Sequence, residues 1–109
     1  MEFKPLKSSK MNEDITCQEV KDRISNGEKF NFIDVREEWE HEEESIGAKL
    51  IPLGDLPHRL DVINDLKNKE VIVHCKSGAR AGRAKKFLIA QGFKNVRNME
   101  GGIEAYRDL

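Results

Sequence analysis

Val71-Ile72-Val73 is the stretch that most limits what this chain can become. Three consecutive β-branched residues favour extended backbone, and the absence of an alternating polar residue asks for cover on both faces of the strand. Two-sided burial is the pattern of a parallel sheet held between helices, so the flanking segments must supply those helices. Thr16-Cys17-Gln18-Glu19 has capping-box spacing, with Cys17, Val20 and Ile24 on one face and Asn26-Gly27 as a stop. Phe30 to Val35 reads as a strand rich in β-formers. Arg36 to Glu44 reads as a short glutamate-rich surface helix with Trp39 as its anchor to the core.

Further along, Leu50-Ile51-Pro52-Leu53 is a brief apolar run that Pro52 bars from a central ladder. Leu56, Leu60, Ile63 and Leu66 keep a helical spacing, with Pro57 tolerated in the first turn. A second strong helix is expected from about Arg80 to Gln91, facing the core with Ala84, Phe87 and Leu88 and capped by Gly92. Asn95 to Met99 is a further strand, and Gly101-Gly102 turns into a terminal helix through Ile103, Ala105 and Tyr106. The expected fold is α/β: three layers, α/β/α, around a mainly parallel central sheet of about five short strands. Residues 1–13 are polar and lysine-rich and read as a flexible or edge-strand lead-in, leaving 14–109 as the folded domain.

The 109 residues suit one domain, and a formal charge of −1 gives the molecule no overall attraction to nucleic acid or anionic membrane. Nothing in the chain is an apolar run of membrane-spanning length, and Met1 to Lys7 lacks the apolar core of a signal peptide. A cytoplasmic protein is the expectation. Cys17 and Cys75 are too few for a disulfide framework, so both are expected as free thiols in a reducing compartment.

Parallel α/β sheets bind ligands beyond the carboxyl ends of their strands, and Val71-Ile72-Val73-His74 delivers Cys75 to that edge. Cys75-Lys76-Ser77-Gly78-Ala79-Arg80 then connects the strand to the second helix. Gly78 permits a backbone in which several amides turn toward one point, and the helix start aims its positive dipole end there. Arg80 closes the loop as a cation, Lys76, Arg83, Lys85 and Lys86 add positive charge, and no acid lies between 75 and 86. Each term favours thiolate over thiol and stabilises an anion held over the loop. A cysteine ending a buried strand is most often packing, but this loop reverses that reading.

Other residues carry plainer readings. Asp34 and Arg36, at the end of an early strand, suit a structural ion pair near the site more than substrate contact. His74 alternates away from Cys75 and reads as a satisfied core histidine, and Cys17 as core. His41 and His58 lack companions, so no metal site is expected and no cofactor is implied. The run Glu37, Glu38, Glu40, Glu42, Glu43 and Glu44 reads as a solvated helix face.

Cys75-Lys76-Ser77-Gly78-Ala79-Arg80 resembles the active-site loop of rhodanese-type sulfurtransferases, Cys-x-x-Gly-x-Arg. Asp34-Val35-Arg36-Glu37, Gly47-Ala48 through Ile51-Pro52-Leu53, and Gly101-Gly102-Ile103-Glu104-Ala105-Tyr106 are similar to further motifs of that family, in family order over roughly residues 14 to 107. The resemblance implies transfer of sulfane sulfur, from thiosulfate or a protein persulfide to a thiol or protein acceptor, through a Cys75 persulfide. It places Lys76, Ser77, Gly78, Ala79 and Arg80 around the substrate. Three departures bear on the acceptor: Ser45-Ile46-Gly47-Ala48 is one residue short and lacks a histidine, Ala81 replaces a common serine, and Tyr106 a common tryptophan. His74-Cys75 also resembles the His-Cys-x5-Arg of dual-specificity phosphatases, but only four residues separate Cys75 from Arg80, one too few to wrap a phosphate. A non-catalytic relay or regulatory module stays open beside the enzyme.

Overall fold

The structure is a computed structural model describing residues 10–109, so residues 1–9 of the lead-in lie outside the described residues. Four strands, β1 (Asn31–Asp34), β2 (Lys49–Leu50), β3 (Glu70–His74) and β4 (Asn95–Asn98), form one sheet in the order β2-β1-β3-β4. Every pairing is parallel, with Phe32 beside Ile72, Ile33 beside Val73 and Val71 beside Val96. β3 therefore lies inside the sheet as its β-branched run required, and Val71, Ile72 and Val73 have no exposure.

Alternation along the strands divides the core in two. Ile33, Val35, Val71 and Val73 pack on α3 (Ala79–Ala90) through Ala81, Ala84 and Leu88, together with Leu56 and Ile63. Phe32 and Ile72 turn to the opposite face, against Cys17 and Val20 of α1 (Cys17–Ser25) and Ala105 and Tyr106 of α4 (Gly102–Arg107). That closes the three layers. The capping box at Thr16 and Glu19 forms, with the Glu19 amide 3.1 Å from Thr16 Oγ1.

A fifth strand is represented by a single bridge, Ile15 to Met99, on the open side of β4. Asn12 exchanges hydrogen bonds with Asn95 and the Val96 amide, but its φ of 65° breaks the extended path and keeps residues 10–15 from forming a ladder.

Two elements differ from the sequence expectation. Residues 53–66 form three 3-10 turns, Leu53–His58, Leu60–Val62 and Asn64–Leu66, in place of an α-helix. Leu53, Leu56, Leu60, Ile63 and Leu66 mostly step by three, the 3-10 repeat, and Pro57 has no N–H for a longer bond. In α2 (Glu38–Glu43), Trp39 is 60% exposed and anchors nothing, whereas Glu40 next to it is only 9% exposed. About 100° of helical rotation separates the two, and the inward position is held by a charge pair described below.

Candidate active site

β3 ends at His74, in register with Asp34 of β1, so both strands open onto the same carboxyl edge of the sheet. Cys75 follows there, 1% exposed, with its sulfur accepting the Gly78 amide at 3.1 Å and the Ala81 amide at 3.3 Å. The loop turns back on Gly78, whose φ of 107° suits glycine, and this aims both N–H groups at the sulfur. Two donors converging on one sulfur seat it in a cradle of amides that favours negative charge there. Around that seat Lys76, Ser77 and Ala79 are exposed, while Gly78 and Arg80 are half-buried.

The loop is fastened from outside. The Asn98 amide group donates to the Gly78 carbonyl at 3.0 Å. The Ile103 and Glu104 amides, in the first turn of α4, donate to the Cys75 and Lys76 carbonyls at 2.9 and 3.1 Å. This approach is close enough that a Cβ on Gly102 would stand 2.3 Å from the Lys76 oxygen. Gly101-Gly102 is thus the floor of the cysteine loop.

Arg80 does not stand over the loop as an unopposed cation. Its guanidinium is engaged end-on by Glu40, Nη1 to Oε1 at 2.6 Å and Nη2 to Oε2 at 2.9 Å. Arg80 holds the Glu40 carboxyl down to about 2, so the pair is ionised at any ordinary pH. Oε1 also accepts the Glu37 amide at 2.9 Å. The sequence reading placed Glu40 among solvated glutamates; only the approach of α3 to α2 singles it out.

Behind the loop, Asp34 is fully buried and serves as a hub. It accepts the Arg36 amide at 2.9 Å, Arg36 Nη2 at 2.8 Å, and pairs with His41 Nδ1 at 2.8 Å. Burial pushes the Asp34 carboxyl up, but Arg36 and His41 outweigh it and hold the group below its usual range. Arg36 in turn donates to the Glu44 carbonyl at 2.6 Å, tying β1 to the end of α2. His41, which the sequence reading left without companions, belongs to this hub.

His74 is buried as expected, but it is not fully satisfied. Its Nδ1 lies 3.3 Å from the Cys75 carbonyl, whereas Nε2 has no partner and sits 3.9 Å from Asp34 Oδ2, an oxygen already used by Arg36 and His41. Burial lowers its pKa more than the Asp34 charge raises it, so the ring is neutral at neutral pH. Cys17 is buried on the other face, its thiol donating to the Glu100 and Gly102 carbonyls at 3.2 and 3.4 Å, and burial raises its pKa. Beside the loop, a cavity of about 110 Å³ opens between Trp39, Glu40, Glu43, Lys76 and Arg107. Among the described residues, no cluster of His, Cys, Asp or Glu is placed to hold a metal ion.

Comparison with known proteins bears on what such a loop does. The family described as "Rhodanese-like domain" matches residues 16–109. "Putative sulfurtransferase YtwF" of Bacillus subtilis (strain 168) is 37% identical over 94 residues, spanning 85% of this chain and 88% of that protein. "Putative sulfur carrier protein YrkF" of the same organism is 35% identical over 91 residues, spanning 83% of this chain but 48% of that longer protein. Among solved structures, a rhodanese-like domain protein from Staphylococcus aureus superposes with a TM-score of 0.77 at 31% identity, over 88% of this chain and 91% of that one. No described helix is long and apolar enough to cross a membrane.

Proposed function

The chain belongs to the rhodanese-like domain family, and from that membership we propose that it transfers sulfane sulfur through a persulfide on Cys75. The observation that carries this reading is the pair of amides, Gly78 and Ala81, aimed at a buried Cys75 sulfur inside a six-residue loop. In the first half-reaction the Cys75 thiolate attacks the outer sulfur of a donor, thiosulfate or a protein persulfide. A new S–S bond forms, the donor's S–S bond breaks, and sulfite or a thiolate leaves with the electron pair. In the second, a thiophilic acceptor such as cyanide, a small thiol or a protein thiol attacks the terminal sulfur and Cys75 leaves as thiolate.

Lys76, Ser77, Gly78, Ala79 and Arg80 form the seat for donor and persulfide, and Asp34 with Arg36 stiffens the wall behind it. His74 contributes no general base in this scheme: it leaves β3 toward Phe32, with ring centres 5.1 Å apart, while Cys75 belongs to the opposite core face. A thiolate formed in the amide cradle needs none. A relay role, in which Cys75 holds sulfur for a partner without rapid turnover, shares the same persulfide; the family likeness to a protein named as a sulfur carrier favours keeping it as the second reading.

Intact-mass analysis after incubation with a sulfane donor tests both. The expected result is a gain of one sulfur that is removed by cyanide and absent in Cys75→Ser. A mass gain without thiocyanate turnover favours the relay, and no gain on Cys75 with any donor overturns the assignment.

A further inference from the structure

Among the described residues, four cations around the cysteine loop are each matched by a carboxylate. Arg80 lies 2.6 Å from Glu40, Arg36 2.8 Å from Asp34, Arg107 2.8 Å from Glu44, and Lys76 3.9 Å from Glu104. The sequence alone suggested the contrary, because no acid lies between residues 75 and 86. All four carboxylates come from elsewhere in the chain. Two of them reach the loop itself: Glu104 loosely and in solvent at Lys76, and Glu40 by a two-pronged bond to the closing arginine with only 10% of its side chain exposed.

A guanidinium and a carboxylate in contact act on a third charge as a dipole, so their pull on an incoming anion is much weaker than that of an unpaired cation. The donors that reach the sulfur itself are neutral amides, which suit a single sulfur anion. Donors differ sharply in what they ask of such a site. Attack of Cys75–S⁻ on thiosulfate brings three negative charges together, giving Cys75–S–S⁻ and SO3²⁻. Attack on a persulfide R–S–SH involves one, giving Cys75–S–SH and R–S⁻, with the proton kept on the transferred sulfur.

Resting on the sulfurtransferase reading above, we propose that Glu40 determines donor specificity: clamped on Arg80, it balances the mouth electrically and makes persulfides and other donors of low charge preferred over dianionic thiosulfate. Glu40 is a positioning and charge-setting residue and takes no part in the bond exchange. A merely structural role makes the opposite forecast. If Glu40 only holds Arg80 in place, removing its charge impairs every donor; if it sets the charge, removal helps the dianion.

The test compares thiosulfate with methanethiosulfonate, CH3SO2S⁻, which presents the same sulfonyl-bound outer sulfur at nearly the same size with one charge fewer. For each, kcat/KM with cyanide as acceptor reports the loading step whatever follows it. Glu40→Gln keeps the shape of the side chain and an oxygen for Arg80. It is expected to raise kcat/KM for thiosulfate about fivefold and to change that for methanethiosulfonate less than about twofold. An equal change in both donors, or a loss confined to thiosulfate, overturns the proposal.

A measurement on the unaltered protein keeps the idea exposed should the variant not fold. Sulfate and methanesulfonate, compared as competitive inhibitors, differ in charge without any chemistry. Methanesulfonate is expected to bind at least as well as sulfate, and sulfate binding about tenfold tighter, as an unpaired guanidinium would produce, refutes the balanced mouth. Should neither of these donors nor a persulfide load Cys75, the sulfurtransferase reading itself fails; loading with an unchanged donor ratio removes only the role of Glu40.

Discussion

Gly102→Ala probes the junction on which the cysteine loop rests. Gly102 has a φ of 63°, and a Cβ there would stand 2.3 Å from the Lys76 oxygen and 2.7 Å from the Cys75 oxygen. Both neighbours are backbone of the loop, so no flexible side chain can give way. The left-handed conformation alone costs an L-residue about 1–2 kcal/mol. Relieving the contact must part α4 from the loop and strain or break the bonds from the Ile103 and Glu104 amides, at 2.9 and 3.1 Å, worth about 1 kcal/mol each. The expected loss is about 3–4 kcal/mol, a large share of the roughly 5–15 kcal/mol that holds a domain together.

Two other glycines separate the terms. Gly27 has a φ of 72° but open space around its absent Cβ, so Gly27→Ala should show only the conformational cost of about 1–2 kcal/mol. Gly54 has neither a positive φ nor a neighbour within 4 Å, and Gly54→Ala should be nearly neutral. Urea unfolding of the three variants, read at a common slope, gives the ranking. Sulfur loading of Cys75, followed by intact mass, should fall in Gly102→Ala alone, measured under conditions where all three are folded. If Gly102→Ala lies within about 1 kcal/mol of Gly27→Ala, the tight junction is not what holds the loop, and the reasoning fails.

Acid should unfold the protein in two stages. Burial keeps His74 neutral, so the folded state binds fewer protons than the unfolded chain once the pH drops below about 6.5, and stability declines from there. Glu40, Asp34 and Glu70 add a steeper decline from about pH 4.5 downward. Their carboxyls are held low in the folded state, Glu40 down to about 2 by Arg80, and the stability they contribute is lost as they protonate. A urea midpoint that stays flat from pH 7 to about 3 contradicts this. In the core, Ile72→Ala should cost about 2–5 kcal/mol because the side chain is fully buried between β-strands and α1, whereas Trp39→Ala, at an exposed site, should cost less than about 0.5 kcal/mol. Equal losses measured by thermal or urea unfolding would remove the distinction between the two.

Local rules carried much of the architecture on their own. The β-branched run at Val71 to Val73 specified an interior parallel strand, Thr16 and Glu19 marked a helix start that forms as a capping box, and Gly78 and Gly92 stand where positive φ is needed. These signals act over a few residues, where backbone sterics and side-chain periodicity decide the outcome. Cys75 at the end of β3 was legible for the same reason: a strand, a glycine turn and a helix start are each local.

Tertiary structure decided what local rules leave equal. Glutamates fill α2 on every side, so no periodicity tells which one turns inward, and Trp39 was the natural but mistaken choice. Glu40 is selected because Arg80, forty residues later, arrives opposite it. His41 becomes part of the Asp34 hub, and Asn98 a brace for Gly78, only once β1, β3 and β4 are aligned. The charge of the site mouth belongs with these. A segment without acids from 75 to 86 is basic as sequence, yet electrostatics acts through space, and folding brings Glu40, Glu44 and Glu104 within reach of its cations and of Arg107.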